Sequence, residues 1–285
     1  RSGLATVECL AASGARLIAW DNHEEAREAV ADKATIVDPL AIDLTGMDGV
    51  VVSPGVPLNR HPIADKAKAD GVPMIGDIEL FALARPTLPP HRVVAITGTN
   101  GKSTTTALIH HIIETAGIPT RMGGNIGLPI LGQEPLPEGG VYVLELSSYQ
   151  LDLTHSLDCD IAVLLNITPD HLDRYDGFEG YRASKARLFA MQSPNHVAVI
   201  ARDDVPSGII ANGVHSKLVN VSASDVTPGD QAQWPALQGP HNAQNAAVAI
   251  AVCKSLGIAD ATILSGLTSY ASLPHRMQRI AEVNG

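Results

Sequence analysis

The sequence has few cysteines, few aromatic residues and fewer basic than acidic side chains. Its three cysteines, Cys9, Cys159 and Cys253, lie far apart and form no C-x-x-C pair. Neither a disulfide framework nor a cysteine zinc site is indicated, and a reducing, cytoplasmic setting is expected. The 2 Trp, 5 Tyr and 3 Phe residues are too few for a base-stacking platform. With 20 basic and 30 acidic side chains the net charge is −10, which disfavours nucleic acids and anionic membranes as partners.

Long hydrophobic runs are also missing. The longest apolar stretches, such as residues 161–165, have the length of a strand and not of a membrane span. The N-terminus has no basic segment followed by an apolar core, so no export signal is expected. The 285 residues are 45% hydrophobic and 18% charged, a composition typical of a folded protein with about two domains. Any anionic ligand must be held by local positive charge.

Residues 1–85 alternate helix-like segments with short apolar segments. The helix-like segments are residues 2–13, a charged stretch after Asp21, and residues 61–70; the apolar segments are 16–20, 49–52 and 72–75. This β-α-β rhythm predicts a Rossmann-like domain with a parallel sheet. Because such a unit enters its first helix from a strand, we expect a first strand and its turn to be missing from this numbering.

Residues 86–91 are predicted to be a linker, because Pro86, Pro89 and Pro90 interrupt helices and central strands. A second α/β domain is expected over residues 92–285, with an end that looks interrupted. Its predicted strands are residues 92–96, 141–145, 161–165 and 197–200, and its predicted helices are 102–116, 178–191, 242–256 and 260–271. Residues 201–240 show no pattern beyond short strands and loops.

The strongest chemical signal lies between the first strand and the first helix of this second domain. It reads Gly98-Thr99-Asn100-Gly101-Lys102-Ser103-Thr104. Glycines let backbone N–H groups converge on phosphate oxygens, the helix N-terminus adds positive potential, Lys102 reaches the terminal phosphates, and the Ser103 hydroxyl can bind Mg²⁺. The spacing is G-x-x-G-K-S and not the strict G-x-x-x-x-G-K-[ST]. The pattern predicts a loop that binds a nucleoside triphosphate; a glycine turn that merely caps a helix is the alternative.

Five further motifs accompany this loop. They are D-I-E-L-F at residues 77–81, G-G-N-I-G at 123–127, L-E-L-S-S-Y-Q-L at 144–151, N-I-T-P-D-H-L-D-R-Y at 166–175 and L-P-H-R at 273–276. Together they resemble the Mur ligases, the ATP-dependent amide ligases of peptidoglycan synthesis, and most of all the branch that adds D-glutamate. The resemblance extends from Ser2 to Gly285.

The resemblance implies a fold and a reaction. The implied α/β fold has an N-terminal Rossmann-like domain, a central P-loop ATPase domain, and a C-terminal α/β domain that is absent from this chain. The implied enzyme is an ATP-dependent acid–D-amino-acid ligase with ATP and Mg²⁺ as cofactors and with UDP-N-acetylmuramoyl-L-alanine and D-glutamate as small-molecule substrates. ATP would phosphorylate the carboxylate of the alanine, and the amine of D-glutamate would then attack the acyl phosphate. We expect a monomer, and we expect these residues alone to bind nucleotide weakly without completing ligation.

Four residues match catalytic positions of the family: Lys102, Glu145, His171 and Lys185. Glu145 ends a predicted strand, where parallel sheets collect ligands, and by resemblance it joins Ser103 on a first Mg²⁺. His171 would serve a second Mg²⁺, although imidazole is a softer ligand than this ion prefers. The family's counterpart of Lys185 is carbamylated, which converts a cation into an anionic metal ligand. Without the motifs, His171 could be structural and Lys185 could belong to a solvated helix face.

The remaining implied contacts are with the substrate and the nucleotide. Positions that contact the sugar and its lactyl-alanine arm match Asn125, Ser147, Gln150 and His171, although Asn125 could instead stabilise a glycine turn. Positions near the adenine and ribose match Asn245 and Arg276, with Asn242 as an adjacent alternative. For the UDP group, helix termini and strand ends of the first domain offer Ser2, Gly3, Asp21, Asn22, Ser53 and Gly55.

Two other functions are compatible with parts of the sequence. Another amide ligase of the superfamily, a different Mur ligase or a folylpolyglutamate synthase, would share the phosphate loop and differ in the incoming amine. A P-loop nucleotide switch or a noncatalytic nucleotide-binding module would explain the loop alone. It would not explain the motifs around Glu145 and His171, and no N-K-x-D guanine signature is present.

Overall fold

The computed structural model describes residues 2–273; the predicted contact Arg276 lies outside them. The helices in this range are α1 Ser2–Ala12, α2 Glu24–Glu28, α3 Ile63–Ala69, α4 Asp77–Ala84, α5 Lys102–Thr115, α6 Ser148–Asp152, α7 Gly177–Ala190, α8 Val205–Ala211, α9 Pro228–Gln231, α10 Pro240–Ser255 and α11 Asp260–Ser269. The strands are β1 Ile18–Ala19, β2 Thr35–Ile36, β3 Val50–Val51, β4 Met74–Ile75, β5 His91–Thr97, β6 Thr120–Gly124, β7 Gly140–Glu145, β8 Ile161–Leu164, β9 Val197–Ala201 and β10 Lys217–Val221.

The first four strands form two separate parallel pairs, β1 with β2 and β3 with β4. The parallel pairing predicted from the β-α-β rhythm is therefore confirmed. The sequence predicted one parallel sheet for residues 1–85. Within the described residues the four strands instead form two pairs that do not bond to each other, each with a ladder of two residues. The alternation of strands and helices predicts parallel strands, but it does not decide which strand edges become neighbours.

Strands β5 to β10 form one parallel sheet in the order β10-β9-β8-β5-β7-β6. β5 lies in the middle, with Ile96 beside Glu145 of β7 and Thr97 beside Leu164 of β8. β5, β7 and β8 are apolar along their length because helices cover both faces of the sheet. The strands and helices predicted after residue 91 are confirmed with shifts of one or two residues at most ends.

Residues 201–240, which the sequence left unassigned, contain regular structure. α8 begins after Asp204, whose side chain accepts a hydrogen bond from the backbone N–H of Ser207, and a proline occupies the first helical turn. β10 extends the sheet beside β9. The sequence pattern was weak here because β10 is an edge strand with mostly half-exposed or exposed residues.

Two apolar layers cover the sheet. α5, α10 and α11 pack on one face, in a core that includes Ile109, Val248 and Leu267. α7 packs on the other face, together with α4, which contributes Ile78 and Phe81. α4 precedes the predicted linker, yet its apolar side chains are buried in the core of the six-stranded sheet.

The connections that leave neighbouring strands pass over opposite faces of the sheet. The chain continues from β5 into α5 on one face and from β8 into α7 on the other. Such a divergence opens a crevice at the carboxyl ends of the strands, which is where ligands bind in this class of fold. Among the described helices, none is long and apolar enough to cross a membrane.

Candidate active site

The phosphate loop joins the carboxyl end of β5 to the first turn of α5. Two glycines make its path possible. Gly98 has a φ of +152°, and a Cβ there would lie 3.0 Å from the Leu165 side chain. Gly101 has a φ of +83°, and a Cβ there would overlap Oδ1 of Asn245. Because the first amides of a helix have no intrahelical acceptor, the start of α5 is suited to bind a phosphate group.

Two lysine amino groups meet at the carbonyl oxygen of Gly98. Nζ of Lys102 donates to this oxygen at 3.0 Å and to the Thr99 carbonyl at 2.9 Å. Nζ of Lys185, on α7, donates to the same Gly98 oxygen at 2.8 Å. Burial of Lys185, followed by the charge of Lys102, lowers the pKa of Lys185 to about 7. At neutral pH a large share of Lys185 is therefore an uncharged amine.

Glu145 ends β7 as a buried carboxylate that is only half satisfied. Its Oε1 accepts a hydrogen bond from Nδ2 of Asn125 at 2.8 Å. Its Oε2 has no hydrogen-bond partner among the described residues. Gly124 lets the chain before Asn125 pass close to Glu145, since its φ is +88° and a Cβ there would overlap the Glu145 carbonyl oxygen. A buried carboxylate oxygen without a partner is costly, and a cation would satisfy it.

His171 has an unusual backbone conformation, with a φ of +51°. No other non-glycine residue in the range 2–273 has a positive φ. Its side chain is about half exposed, and its Nε2 lies 3.5 Å from Oδ2 of Asp170. The imidazole centroid is 5.0 Å from the ring of Tyr149 and 6.3 Å from that of Tyr181. Strained backbone of this kind occurs preferentially at functional sites.

Tyr181 connects His171 with the phosphate loop. The Lys185 ammonium lies 4.6 Å from the centroid of the Tyr181 ring. The Tyr181 hydroxyl lies 3.2 Å from Oγ1 of Thr99. Lys185 and His171 thus both lie against Tyr181, and Lys102 bonds the carbonyl of Thr99, whose hydroxyl faces the same tyrosine. Glu145 ends β7, which neighbours β5.

Two of the predicted substrate contacts stabilise the start of α6. The Ser147 and Gln150 side chains form a reciprocal capping box: the backbone N–H of Gln150 donates to Ser147 Oγ at 3.3 Å, and the backbone N–H of Ser147 donates to Gln150 Oε1 at 3.2 Å. Ser147 and Gln150 follow Glu145 closely, so the cap fixes the chain directly after this carboxylate.

Asn245 lies against the phosphate loop from the side of α10. It is almost fully buried; its Oδ1 accepts from Thr105 Oγ1 at 3.1 Å, and its Nδ2 donates to Asn242 Oδ1 at 3.1 Å. Both ends of this amide are therefore engaged within the protein. Asn242, the alternative contact, is bonded to it.

The predicted UDP contacts fall into two groups. Ser2 begins α1, and Gly3 lies beside Ser53, since a Cβ on Gly3 would be 3.8 Å from Ser53 Oγ. Gly55 lies two residues after Ser53, in the turn that follows β3. Asp21 and Asn22 form a different turn after β1, where their backbone carbonyls accept hydrogen bonds from Nη1 of Arg27 at 2.7 and 3.2 Å.

The segment that carries His171 also contacts the turn after β3. Nη2 of Arg174 donates to the Val56 carbonyl at 2.9 Å, and its guanidinium lies 4.2 Å from the centroid of the Tyr149 ring. Nδ2 of Asn59 donates to the Asp173 carbonyl at 3.0 Å. The turn proposed for the diphosphate is therefore tied to the loop that holds His171.

Sequence reasoning assigned no role to Asn166, although it opens a motif that was noted. Asn166 makes three hydrogen bonds to the phosphate loop. The available signal was its position directly after a buried strand that neighbours β5.

The fold and the loop define an α/β protein with a phosphate-loop turn at the carboxyl end of a parallel sheet. A family model described as the Mur ligase middle domain matches residues 96–253. The UDP-N-acetylmuramoylalanine–D-glutamate ligase of Sphingopyxis alaskensis is 67% identical over 286 residues, which cover 100% of this chain and 66% of the relative. The enzyme of the same name from Zymomonas mobilis is 60% identical over 298 residues, covering 100% of this chain and 68% of the relative.

This chain belongs to the Mur ligase family, which confirms the resemblance of its motifs. Among solved structures, the UDP-N-acetylmuramate:L-alanyl-gamma-D-glutamyl-meso-diaminopimelate ligase from Neisseria meningitides has the same fold, with a TM-score of 0.61, 17% identity and coverage of 95% of each chain. The chain spans about two thirds of the length of the curated relatives it matches.

Proposed function

We propose that this chain carries the ATP-binding and UDP-substrate-binding parts of a ligase that joins D-glutamate to UDP-N-acetylmuramoyl-L-alanine. The names of its relatives support the substrate assignment. The observation that carries the proposal is the meeting of Lys102 and Lys185 at the Gly98 carbonyl, at the head of the phosphate loop. In an otherwise acidic chain, Lys102 and the N-terminus of α5 place local positive charge where a polyphosphate would bind.

The chemistry explains why positive charge is needed here. A carboxylate is a poor electrophile, so ATP first phosphorylates it, and the D-glutamate amine then attacks the acyl phosphate and expels phosphate as the amide forms. Bringing a carboxylate to a triphosphate sets anion against anion. Lys102 and the N-terminus of α5 offset this repulsion and hold the phosphates in line.

The donor set fits a magnesium ion. Glu145 offers a buried carboxylate oxygen without a partner, and Ser103 offers a hydroxyl in the first turn of α5. Hard oxygen ligands of this kind suit Mg²⁺. We assign a second ion to His171 and to Lys185, whose side chain would then be carbamylated. No group of three His, Cys, Asp or Glu side chains with metal-site geometry occurs in residues 2–273, so any ion there depends on mixed ligands and on the phosphates. When bound, Mg²⁺ would neutralise charge on the transferred phosphoryl group.

We also propose that Lys185 is carbamylated. Reaction with CO₂ requires a neutral amine, and burial together with Lys102 lowers the pKa of Lys185 to about 7. In carbon-13-labelled bicarbonate, the protein should give a carbamate signal by NMR that is lost in Lys185→Met. A Lys185→Met protein that gives the same carbamate signal as the protein without the substitution would contradict the assignment.

The other site assignments remain part of this proposal. The loop residues 98–104 with Asn245 and Arg276 bind ATP. Asn125, Ser147, Gln150 and His171 face the sugar and its alanine arm, whereas Ser2, Asp21, Asn22, Ser53 and Gly55 hold the UDP group. We propose a UDP-binding domain before the linker 86–91 and an ATP-binding domain after it, in a monomeric cytoplasmic enzyme.

Phosphate release by the full-length protein tests the reaction. Release should require ATP, UDP-N-acetylmuramoyl-L-alanine and D-glutamate together, and a panel of D- and L-amino acids with diaminopimelate should identify D-glutamate as the acceptor. Lys102→Met should abolish release, whereas the exposed Lys217→Met should not. Hydrolysis of ATP without either substrate would instead favour a nucleotide switch, and preference for another amine would favour another ligase of the family.

A further inference from the structure

The backbone of the phosphate loop is bonded to Asn166, the residue that follows β8 by two positions. The Thr99 N–H donates to the Asn166 carbonyl oxygen at 2.8 Å. The Asn100 N–H donates to Asn166 Oδ1 at 2.8 Å, and Asn166 Nδ2 donates to the Asn100 carbonyl at 3.2 Å. Because the amides of Thr99 and Asn100 are already engaged, phosphate binding falls to the amides at the start of α5.

Thr168, two positions after Asn166, also bonds to the phosphate loop. The Thr168 N–H donates to Thr99 Oγ1 at 3.0 Å, and Thr99 Oγ1 donates to the Thr168 carbonyl at 3.2 Å. The segment 166–168 therefore lies along the loop and sets its path. A loop formed before the ligand arrives loses less conformational freedom on binding.

The orientation of the Asn166 amide, which the Asn100 backbone already favours, is reinforced from outside the loop. Its Nδ2 also donates to Oε1 of Gln244, on α10, at 3.0 Å, and Nε2 of Gln244 donates to Oδ2 of Asp203 at 2.7 Å. An ionised carboxylate can only accept hydrogen bonds. Asp203 therefore forces Gln244 to donate toward it and accept from Asn166, which leaves Asn166 Oδ1 facing the Asn100 N–H.

Asp203 is itself held in place and kept ionised. Its carboxylate accepts from Ser222 Oγ at 2.7 Å and from the Ala223 N–H at 3.1 Å. Burial acts to raise the pKa of Asp203, but the hydrogen bonds from Gln244, Ser222 and Ala223 outweigh it and hold this pKa below its usual range. The carboxylate remains an acceptor at neutral pH.

We propose that Asn166 is a positioning residue for the nucleotide, and that Asp203 and Gln244 reinforce its orientation so that the phosphate loop is preformed. The inference rests on the proposed nucleotide-binding function and deepens it. It predicts that a residue without contact to the loop, Asp203, controls the affinity for phosphate groups. A merely structural role for Asp203 would leave that affinity unchanged.

Calorimetric titration of the chain of residues 1–285 with ADP and Mg²⁺ tests this. Asn166→Leu removes the Oδ1 and Nδ2 bonds and should weaken ADP binding about tenfold, as expected for the loss of one or two loop hydrogen bonds. Asp203→Leu removes the acceptor that fixes the Gln244 amide, so this amide can turn over and Asn166 loses the support of its acceptor. It should weaken binding several-fold. The double variant should lose little more than Asn166→Leu alone, because both act through the same bonds.

Gln192→Leu is the matched control. Gln192 is also an amide that ties backbone carbonyls together, since its Nε2 donates to Cys159 and Val197 at 3.0 Å each. These carbonyls precede β8 and begin β9, at the end of the sheet opposite the phosphate loop. Gln192→Leu should lower the melting temperature but bind ADP as the unmodified chain does.

The outcomes separate this inference from the proposed function. If Asn166→Leu and Asp203→Leu bind ADP within about twofold of the chain without a substitution, the positioning role is wrong while the ligase assignment stands. If Asn166→Leu does not fold, Asp203→Leu, which removes no group that contacts the loop, decides alone. If the unmodified chain binds no ADP, the nucleotide site itself is wrong and both proposals fall.

Discussion

Lys185 shows how a single residue's surroundings create a chemical property that its residue type lacks. The side chain is 1% exposed, and it shares the Gly98 carbonyl with Lys102, which adds like charge. Both the burial and the neighbouring cation favour the neutral amine, so the pKa falls from 10.5 to about 7. A lysine on a solvated helix face would have neither influence.

The shift predicts a pH dependence of stability. Between about pH 7 and pH 10 the unfolded chain binds a proton at Lys185 that the folded chain does not, so the free energy of unfolding should rise with pH over this range. Lys185→Met should remove that rise. The stability difference between the variant and the unmodified chain should change by roughly 3–5 kcal/mol across the range, at about 1.4 kcal/mol per pKa unit.

Urea unfolding at several pH values, in CO₂-free buffer without nucleotide or metal, measures this difference. The exposed Lys217→Met is the control, and its difference from the unmodified chain should stay constant with pH. A constant difference for Lys185→Met as well would show that Lys185 is not desolvated.

At the scale of elements, α4 is attached to the central sheet by one buried carboxylate. Glu79 accepts hydrogen bonds from the backbone N–H groups of His155 and Ser156, at 2.6 and 2.9 Å, and from Ser156 Oγ at 2.6 Å. Ile78 and Phe81, on either side of it in the chain, are buried in the core. α4 therefore joins the part of the molecule that follows it in the sequence.

Glu79→Gln should test this attachment. The amide keeps the shape of the side chain and an oxygen for the two backbone N–H groups, but it lacks the negative charge that strengthens these bonds and requires Ser156 Oγ to accept instead of donate. The protein should therefore lose about 1–3 kcal/mol of stability. The urea midpoint measures the loss. Glu138→Gln, at an exposed carboxylate, should leave the midpoint unchanged; equal effects of the two substitutions would mean that Glu79 contributes only surface charge.

At the scale of the molecule, the contacts of residues 170–175 join the N-terminal part to the central sheet. Arg174 combines a hydrogen bond to the Val56 carbonyl with a position over the Tyr149 ring. Asn59 adds a bond to the Asp173 carbonyl. Since His171 lies on the same segment, the turn after β3 and the loop that carries His171 are held in one arrangement.

Arg174→Met should loosen this connection. The methionine keeps apolar contact with Tyr149 but cannot donate to the Val56 carbonyl, so about 1–3 kcal/mol of stability should be lost. The urea midpoint gives the magnitude, and hydrogen exchange should rise in residues 53–60. Arg16→Met, at an exposed arginine, is the control; unchanged exchange in residues 53–60 of Arg174→Met would contradict the connection.

The sequence by itself determined the local features of this protein. The strands β5, β7 and β8, the helices α5, α7 and α10 and the glycine turn before Lys102 were predictable because periodicity, caps and turn residues act over a few positions. The family was equally accessible because its motifs are contiguous. The shared carbonyl of Gly98, the unpartnered oxygen of Glu145 and the three bonds from Asn166 to the loop were decided only by tertiary structure. They depend on which strands and helices become neighbours, and no local pattern specifies the partner of a side chain that is many residues away.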